Sequence, residues 1–380
     1  MPATLPTTEQ VTAALATVKD PEIGRPITDI GMVGQIVVET AGLVRVQVFL
    51  TTSGCPLRDR ITTDVTAAVQ RLGGVTGVDV LLDVMGDEQR AALKELLRGG
   101  VAEREIPFAK AGSLTRVYAV ASGKGGVGKS SVTVNLAVAL QQQGLTVGVL
   151  DADIYGFSVP RMMGVTEPPT RVEGMIMPPQ AYGVRVISTG MFTPAGAAVV
   201  WRGPMLHRAL QQFLSDVYWG DLDVLLLDLP PGTGDIALSL AQLVPSSEIL
   251  VVTTPQLAAA EVAERAGAMA TQTHQQVIGV VENMAGYTLP DGTVVDLFGA
   301  GGGAAVAEGL TRTLGHDVPL LGSIPIDPRV RNGGDTGVPL VLSDPDSEAA
   351  KALMVIAGRL AGRPRGLVGM SLGLAPSRRR

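Results

Sequence analysis

Gly123-Lys124-Gly125-Gly126-Val127-Gly128-Lys129-Ser130 is the stretch on which the reading of this chain turns. It has the spacing Gly, four residues, Gly-Lys-Ser, and it lies between an apolar run (Arg116 to Ser122) and a helical pattern from Lys129 to about Gln143. Glycines let the backbone turn successive N–H groups onto phosphate oxygens, and the start of the helix adds partial positive charge. In that geometry Lys129 meets the β- and γ-phosphates and the Ser130 hydroxyl serves Mg²⁺. Gly123, Gly125, Gly126, Val127, Gly128 and Ser131 complete the cradle. The chain has 47 glycines, so a glycine-rich stretch alone would say little. The full motif in strand–loop–helix context implies binding of a nucleoside triphosphate.

Lys124 narrows the class. The chain has six lysines, and two of them fall within these eight residues. A lysine just after the first glycine projects away from its own cradle. It is either a solvated loop residue or a contact to a nucleotide held by a facing subunit.

Further acidic and amide side chains are expected at the same site. Asp151-Ala152-Asp153 follows an apolar strand, where two carboxylates can serve Mg²⁺ and orient the attacking water; position alone leaves open which does which. Val224-Leu225-Leu226-Leu227-Asp228 is a second acidic strand end, with Asp228 expected to hold Mg²⁺ through water. It runs into Pro230-Pro231-Gly232, where the Gly232 N–H is expected to approach the γ-phosphate. At the base end, the Asn283 amide offers the donor and acceptor that an adenine edge needs, and Pro325 and Asp327 are expected to wall the base.

With 380 residues the chain can bury a full core, and its formal net charge of −6 argues against a nucleic-acid-binding face. No apolar run approaches the ~18–20 residues that span a bilayer. The first ten residues lack the basic-then-apolar pattern of a signal peptide, so a soluble cytoplasmic protein is expected. Periodicity divides the chain into a small α+β domain over 1–98, a linker over 99–113, and a domain over 114–362. Residues 363–380 form a basic tail, read as disordered, that ends in Arg378-Arg379-Arg380. From Leu114 onward strands alternate with helices, and several strands are apolar on both faces. The expected fold is α/β, with a doubly wound, mostly parallel sheet and ligands at the carboxyl ends of its strands. The single cysteine, Cys55, excludes an intrachain disulfide and a four-thiolate metal site within one chain.

Taken in order, Gly123–Ser131, Leu150–Pro160, Trp201–Met205, Asp228–Asp235, Thr253–Gln256, Glu282-Asn283-Met284 and Phe298–Gly303 resemble the Mrp/ApbC-type iron–sulfur cluster carrier ATPases. These belong to the MinD/Mrp branch with a deviant phosphate loop. Residues 9–85 resemble the metal–sulfur cluster assembly domain that some members carry in front, through Asp20-Pro21-Glu22, Asp29–Val33, Thr51 and Gly54-Cys55-Pro56. The resemblance implies ATP and Mg²⁺ as ligands, slow ATP hydrolysis, and a homodimer in which Lys124 crosses to the partner's nucleotide. Its motif implies Asp153 for the attacking water, which leaves Asp151 to serve Mg²⁺. It also implies an iron–sulfur cluster as cargo, with assembly proteins and client apoproteins as partners.

The sequence departs from that pattern at one point. The family's Cys-x-x-Cys pair would stand at Leu289 and Gly292, and neither side chain can ligate iron. Pro290-Asp291-Gly292 favours a turn, so a hairpin without soft ligands is expected there. Cys55 precedes Pro56, a favoured first helical residue, and so is read as a thiol near a helix start, either reactive or cluster-binding. Two readings stay open at this level: a cluster carrier whose ligands have moved, and a nucleotide-dependent dimeric scaffold that holds no cluster. A division-site ATPase acting on DNA or membrane is disfavoured, because Pro364, Gly366, Gly369, Gly373 and Pro376 break any terminal amphipathic helix.

Overall fold

A computed structural model of the chain describes residues 5–51, 57–98, 105–110, 112–153, 156–192, 203–232, 235–256, 259–289 and 291–363. The chain divides into two compact units. One comprises residues 1–105 together with Thr170–Met177, and the other comprises 106–169 and 178–380.

The small unit is built from α1 (Thr8–Leu15), β1 (Val33–Val38), β2 (Leu43–Leu50), α2 (Arg58–Gln70), β3 (Gly77–Val84) and α3 (Asp87–Arg98). Thr7 starts α1 through a reciprocal capping box with Gln10. The sheet order is β1-β2-β3, with β1 antiparallel and β3 parallel to the central β2. The alternation in β2 decides its faces. Val44, Val46 and Val48 are fully buried, while Arg45 on the other face is exposed and paired with Glu39 and Asp79. Val11 and Leu15 of α1 and Ile61, Val65 and Val69 of α2 are also buried in this unit. Asp20 is buried in the following turn, where its carboxylate accepts the N–H groups of Glu22 and Ile23.

The large unit continues with β4 (Arg116–Ala121), α4 (Lys129–Gln142), β5 (Val147–Asp151) and α5 (Val159–Met162). Next comes a hairpin of β6 (Thr170–Val172) and β7 (Met175–Met177), which packs with the small unit. Its turn is made by Glu173 and Gly174, both at positive φ (48° and 81°). Thr170 donates to Glu22 at 3.3 Å, and Val172, Met175, Ile176 and Met177 are buried. The chain returns to the large unit as β8 (Gln180–Ala181), β9 (Val184–Ser188), α6 (Gly203–Ser215), β10 (Val224–Asp228) and α7 (Asp235–Leu243). Then follow β11 (Glu248–Thr253), α8 (Ala259–Thr273), β12 (Val277–Asn283), β13 (Tyr287–Thr288) and β14 (Val294–Val295). The last elements are α9 (Gly302–Leu314), β15 (Leu320–Ile324), α10 (Pro328–Thr336), α11 (Leu340–Ser343) and α12 (Glu348–Ala361).

These strands form an eight-stranded sheet in the order β15-β12-β11-β4-β10-β5-β9-β8, parallel except for the short edge strand β8. Every residue of β5, β10 and β12 is buried, as expected for parallel strands covered by helices on both faces. The central helix α4 is buried almost all round, Val132 to Leu140 inclusive, because it packs against the sheet and against α12, which itself packs on β15. The connections from β4 to β5 and from β10 to β11 lead to opposite sides of β4. A crevice therefore opens at the carboxyl ends of the strands, where ligands bind in such sheets. In the expected linker, Pro107–Ala109 form one helical turn, and Phe108 is buried in the large unit. Among the described residues no helix is long and apolar enough to cross a membrane.

Candidate functional site

The loop after β4 makes its turn at Gly126 (φ 79°) and Gly128 (φ 77°), where an L side chain would be strained. Space excludes one at Gly128 as well, since an added Cβ would lie 2.3 Å from the Asn283 amide nitrogen. The loop is fastened from several elements. Arg265 of α8 donates to the Gly123 carbonyl (3.1 Å), Asn283 to the Val127 carbonyl (2.9 Å), and Ser122 Oγ to the Lys124 carbonyl (3.0 Å). Gly125 faces Pro231 of the loop after β10, and Val127 is buried. Holding the loop in advance limits the ordering entropy that phosphate binding costs.

Register brings the acidic strand ends together: Asp228 is level with Asp151 of β5 on one side and with Val120 of β4 on the other. Asp228 is wholly buried and accepts from Lys129 Nζ (2.7 Å), Ser130 Oγ (2.5 Å) and Thr133 Oγ1 (3.0 Å). Three helix side chains thus converge on one carboxylate, and Lys129, only 6% exposed, is its charge partner. Burial of such a pair is tolerable only because its remaining lone pairs are hydrogen-bonded.

Asp151 is also wholly buried, and its surroundings differ. It accepts from the backbone N–H of Asp153, Ser158 and Val159 and from Ser188 Oγ, at 3.1–3.2 Å. Desolvation first, and the nearby Asp228 charge second, push its pKa up to about 7. Asp151, expected from the sequence to serve Mg²⁺, fastens the loop after β5 at Asp153, Ser158 and Val159. Asp153 lies in that loop with its own carboxylate accepting from the Gly156 N–H at 3.1 Å. Gly232 has φ 94°, and its N–H donates to the Ser122 carbonyl at 2.9 Å instead of pointing freely at the phosphate position.

Lys124 extends across the loop surface and donates to Gln256 Oε1 of its own chain. Gln256 ends the Thr253–Gln256 run after β11, a segment to which sequence reasoning gave no role.

A cavity of about 500 Å³ adjoins the phosphate loop. Gly128 and Ser131 form its inner end; Asn283, Pro325 and Asp327, three residues expected at the base, all line it. Asp327 caps α10 and pairs with Arg329, whose hydrogen bonds hold its pKa below the usual carboxylate range. Met162, Met284, Phe298 and Val330 add apolar wall; Met284 and Val330 belong to the two segments, Glu282–Met284 and Ile324–Val330, that the sequence puts at the base end, whereas Met162 and Phe298 had no such assignment. Met284 has φ 62°, uncommon for a residue with a long side chain and typical of functional turns. Glu282, the buried residue before Asn283, accepts from the Gly303 N–H at the start of α9 and from Ser323 Oγ, both at 2.7 Å. The only signal for Glu282 in the sequence was its place beside Asn283.

The oxygen donors of Ser130 and Asp228 fit a hard divalent cation, and the glycine cradle with buried Lys129 fits phosphate. The residues around the expected cluster site do not fit iron. Leu289 and Gly292 form a hairpin turn, Leu289 N–H to Thr293 carbonyl (2.8 Å) and Gly292 N–H to Leu289 carbonyl (2.9 Å). Among the described residues no group of three or more His, Cys, Asp or Glu could hold a metal ion. Cys55 lies outside the described residues.

A family model described as "NUBPL iron-transfer P-loop NTPase" matches residues 113–361, and one described as "Iron-sulfur cluster assembly protein" matches residues 8–80. A Mycobacterium tuberculosis protein named iron-sulfur cluster carrier protein is 63% identical over 369 residues, covering 97% of each chain. A Deinococcus radiodurans protein of the same name is 45% identical over 354 residues, covering 92% of this chain and 93% of its own. Among solved structures, a nucleotide-binding protein from Archaeoglobus fulgidus in complex with ADP is 37% identical with a TM-score of 0.51. It covers 59% of this chain and 87% of its own.

Proposed function

The chain belongs to the NUBPL iron-transfer P-loop NTPase family, and from that premise we propose that it binds and hydrolyses ATP and carries iron–sulfur clusters to apoproteins. The observation that carries the ATPase half is the buried convergence of Lys129, Ser130 and Thr133 on Asp228 beneath a preformed glycine loop. The carrier half is supported by the assembly-type match over residues 8–80 and by the names of the full-length relatives.

In this reading ATP is the substrate. The loop N–H groups and Lys129 neutralise its β- and γ-phosphates, and the adenine enters the cavity lined by Asn283, Pro325 and Asp327. Ser130 and Asp228 would hold Mg²⁺, which supplies charge neutralisation to the phosphates. Asp153 orients the attacking water, while Asp151 keeps the loop that carries it in place. Lys124 exchanges Gln256 for the nucleotide of a facing subunit, so the working form is a homodimer in the cytoplasm. Its partners are assembly proteins and client apoproteins rather than nucleic acid or membrane. The cluster is cargo, and Cys55 is the one thiol the chain can offer it.

A specific observation favours a second reading: Leu289 and Gly292 occupy the hairpin turn where ligands would be needed. The chain would then be a nucleotide-gated assembly scaffold that holds no cluster. Anaerobic reconstitution with iron and sulfide, wild type beside Cys55→Ser, separates the two. Cluster in wild type and none in Cys55→Ser is the outcome expected of a carrier; none in either protein, with hydrolysis intact, leaves the scaffold. Lys129→Ala in the same series should lower ATP turnover by about 10²–10³-fold, the range for loss of a group that stabilises transition-state charge.

A further inference from the structure

We infer that Phe298 closes on the base of the bound nucleotide and so ties occupancy of the nucleotide cavity to the conformation of the hairpin from Tyr287 to Val295. The inference rests on the nucleotide-binding reading above and extends it to a residue with no assigned role.

The segment that carries the hairpin is anchored on both sides, at the cavity wall before it and at the start of α9 after it. At its start, β12 delivers Asn283 and Met284 to the cavity, and the chain then locks onto the last strand. Ala285 N–H donates to the Ile324 carbonyl (2.9 Å), and Ile326 N–H donates to the Gly286 carbonyl (2.8 Å). At its far end the Gly303 N–H is held by the buried Glu282 carboxylate at 2.7 Å. Gly303 must be glycine for that approach, because an added Cβ would lie 2.6 Å from the Glu282 Cβ. Between these anchors the strands pair Tyr287 with Val295 and Thr288 with Val294.

Phe298 follows that pairing by three residues, inside a tight turn closed by Leu297 N–H to Val295 carbonyl (3.0 Å) and Gly299 N–H to Asp296 carbonyl (3.2 Å). Among the described residues between Gly286 and Gly303, Phe298 is the one that lines the cavity. Its side chain is 41% exposed, so the ring has an uncovered face. A flat apolar ring at the rim of a cavity that already presents an amide, Asn283, for a base edge has the chemistry of a stacking platform. That turn joins Phe298 to the second strand, Val294–Val295, through two backbone hydrogen bonds. That strand and its continuation expose Val294 and Leu297, which are 62% and 58% accessible. Base binding therefore fixes the face the hairpin presents, and by thermodynamic reciprocity a partner that holds that face changes nucleotide affinity by the same factor.

The test uses the full chain, with ADP and inorganic tripolyphosphate as probes, each with Mg²⁺. Affinity is measured by calorimetry, and hydrogen exchange is followed in the 286–298 segment. Phe298→Ala should weaken ADP binding about tenfold, a typical loss for one stacked base, and leave tripolyphosphate binding unchanged. Phe298→Tyr should restore ADP affinity, which separates stacking from misfolding. ADP at saturation should protect the hairpin amides in wild type and in Phe298→Tyr but not in Phe298→Ala. ADP affinity within twofold of wild type in Phe298→Ala overturns the inference, as does hairpin protection that survives in that variant or is produced by tripolyphosphate alone. Wild-type protein that binds no ADP at all overturns the ATPase reading, and this one with it.

Discussion

Two aspartates level with each other on neighbouring strands have been given opposite tasks by their neighbours. Asp228 faces a lysine and two hydroxyls and is the anionic centre of the site. Asp151 faces backbone N–H groups and one serine with no cation among its partners, and burial beside Asp228 raises its pKa to about 7. A carboxylate whose pKa is raised by folding binds its proton more tightly in the native state. Its contribution to stability is complete below the unfolded value near 4, and it is lost as pH rises through about 7. The urea stability of wild type minus that of Asp151→Asn, without nucleotide, should therefore fall between pH 4.5 and 7.5. The slope is at most about 1.4 kcal/mol per pH unit for one proton. A difference that rises with pH would mean that Asp151 is held ionised, and the assignment would be wrong. The sequence put both carboxylates at strand ends, where the structure has them level with each other. It could not distinguish their tasks, because Ser188 and the 158–159 backbone reach Asp151 only through the fold.

At the scale of elements, the approach of α9 to the sheet is the feature with the least slack. Its first turn wedges between the ends of β11 and β12: a Cβ on Gly302 would lie 2.6 Å from the Pro255 carbonyl carbon, and one on Gly303 would meet Glu282. Gly303→Ala should cost about 1–3 kcal/mol in urea unfolding, the usual range for overpacking a rigid contact. It should also weaken ADP binding through displaced Asn283. A change below about 0.5 kcal/mol would show that the helix start can shift freely. Elements of this kind mark the limit of sequence reading. The parallel strands and α4 were legible because burial on both faces leaves continuous apolar runs, and the phosphate loop because its glycines answer a local steric demand. The β6–β7 hairpin was not seen, and Gln256 and Phe298 received no roles. What places them are contacts across long stretches of chain, which no local period records. Lys124 shows the same limit: its projection from the loop was legible, but its hydrogen bond to Gln256 was not.

The two units of the molecule are joined by more than their linker. The chain passes from one unit to the other after Glu105, again at Pro169 and again at Met177, because the β6–β7 hairpin packs with the small unit. That hairpin buries Val172, Met175, Ile176 and Met177 and bonds Glu22 through Thr170. A protease site inserted between Gly99 and Arg104 and then cut should leave two fragments that co-elute on gel filtration until denaturant is added. Fragments that separate in buffer would mean that the hairpin contributes nothing to holding the small unit. A boundary drawn at a single linker misdescribes such a chain. For crosslinking the consequence is direct: a reagent that ties Thr170–Met177 to the front segment closes a covalent ring through the large unit, because the chain leaves the small unit after Glu105 and re-enters it at Thr170.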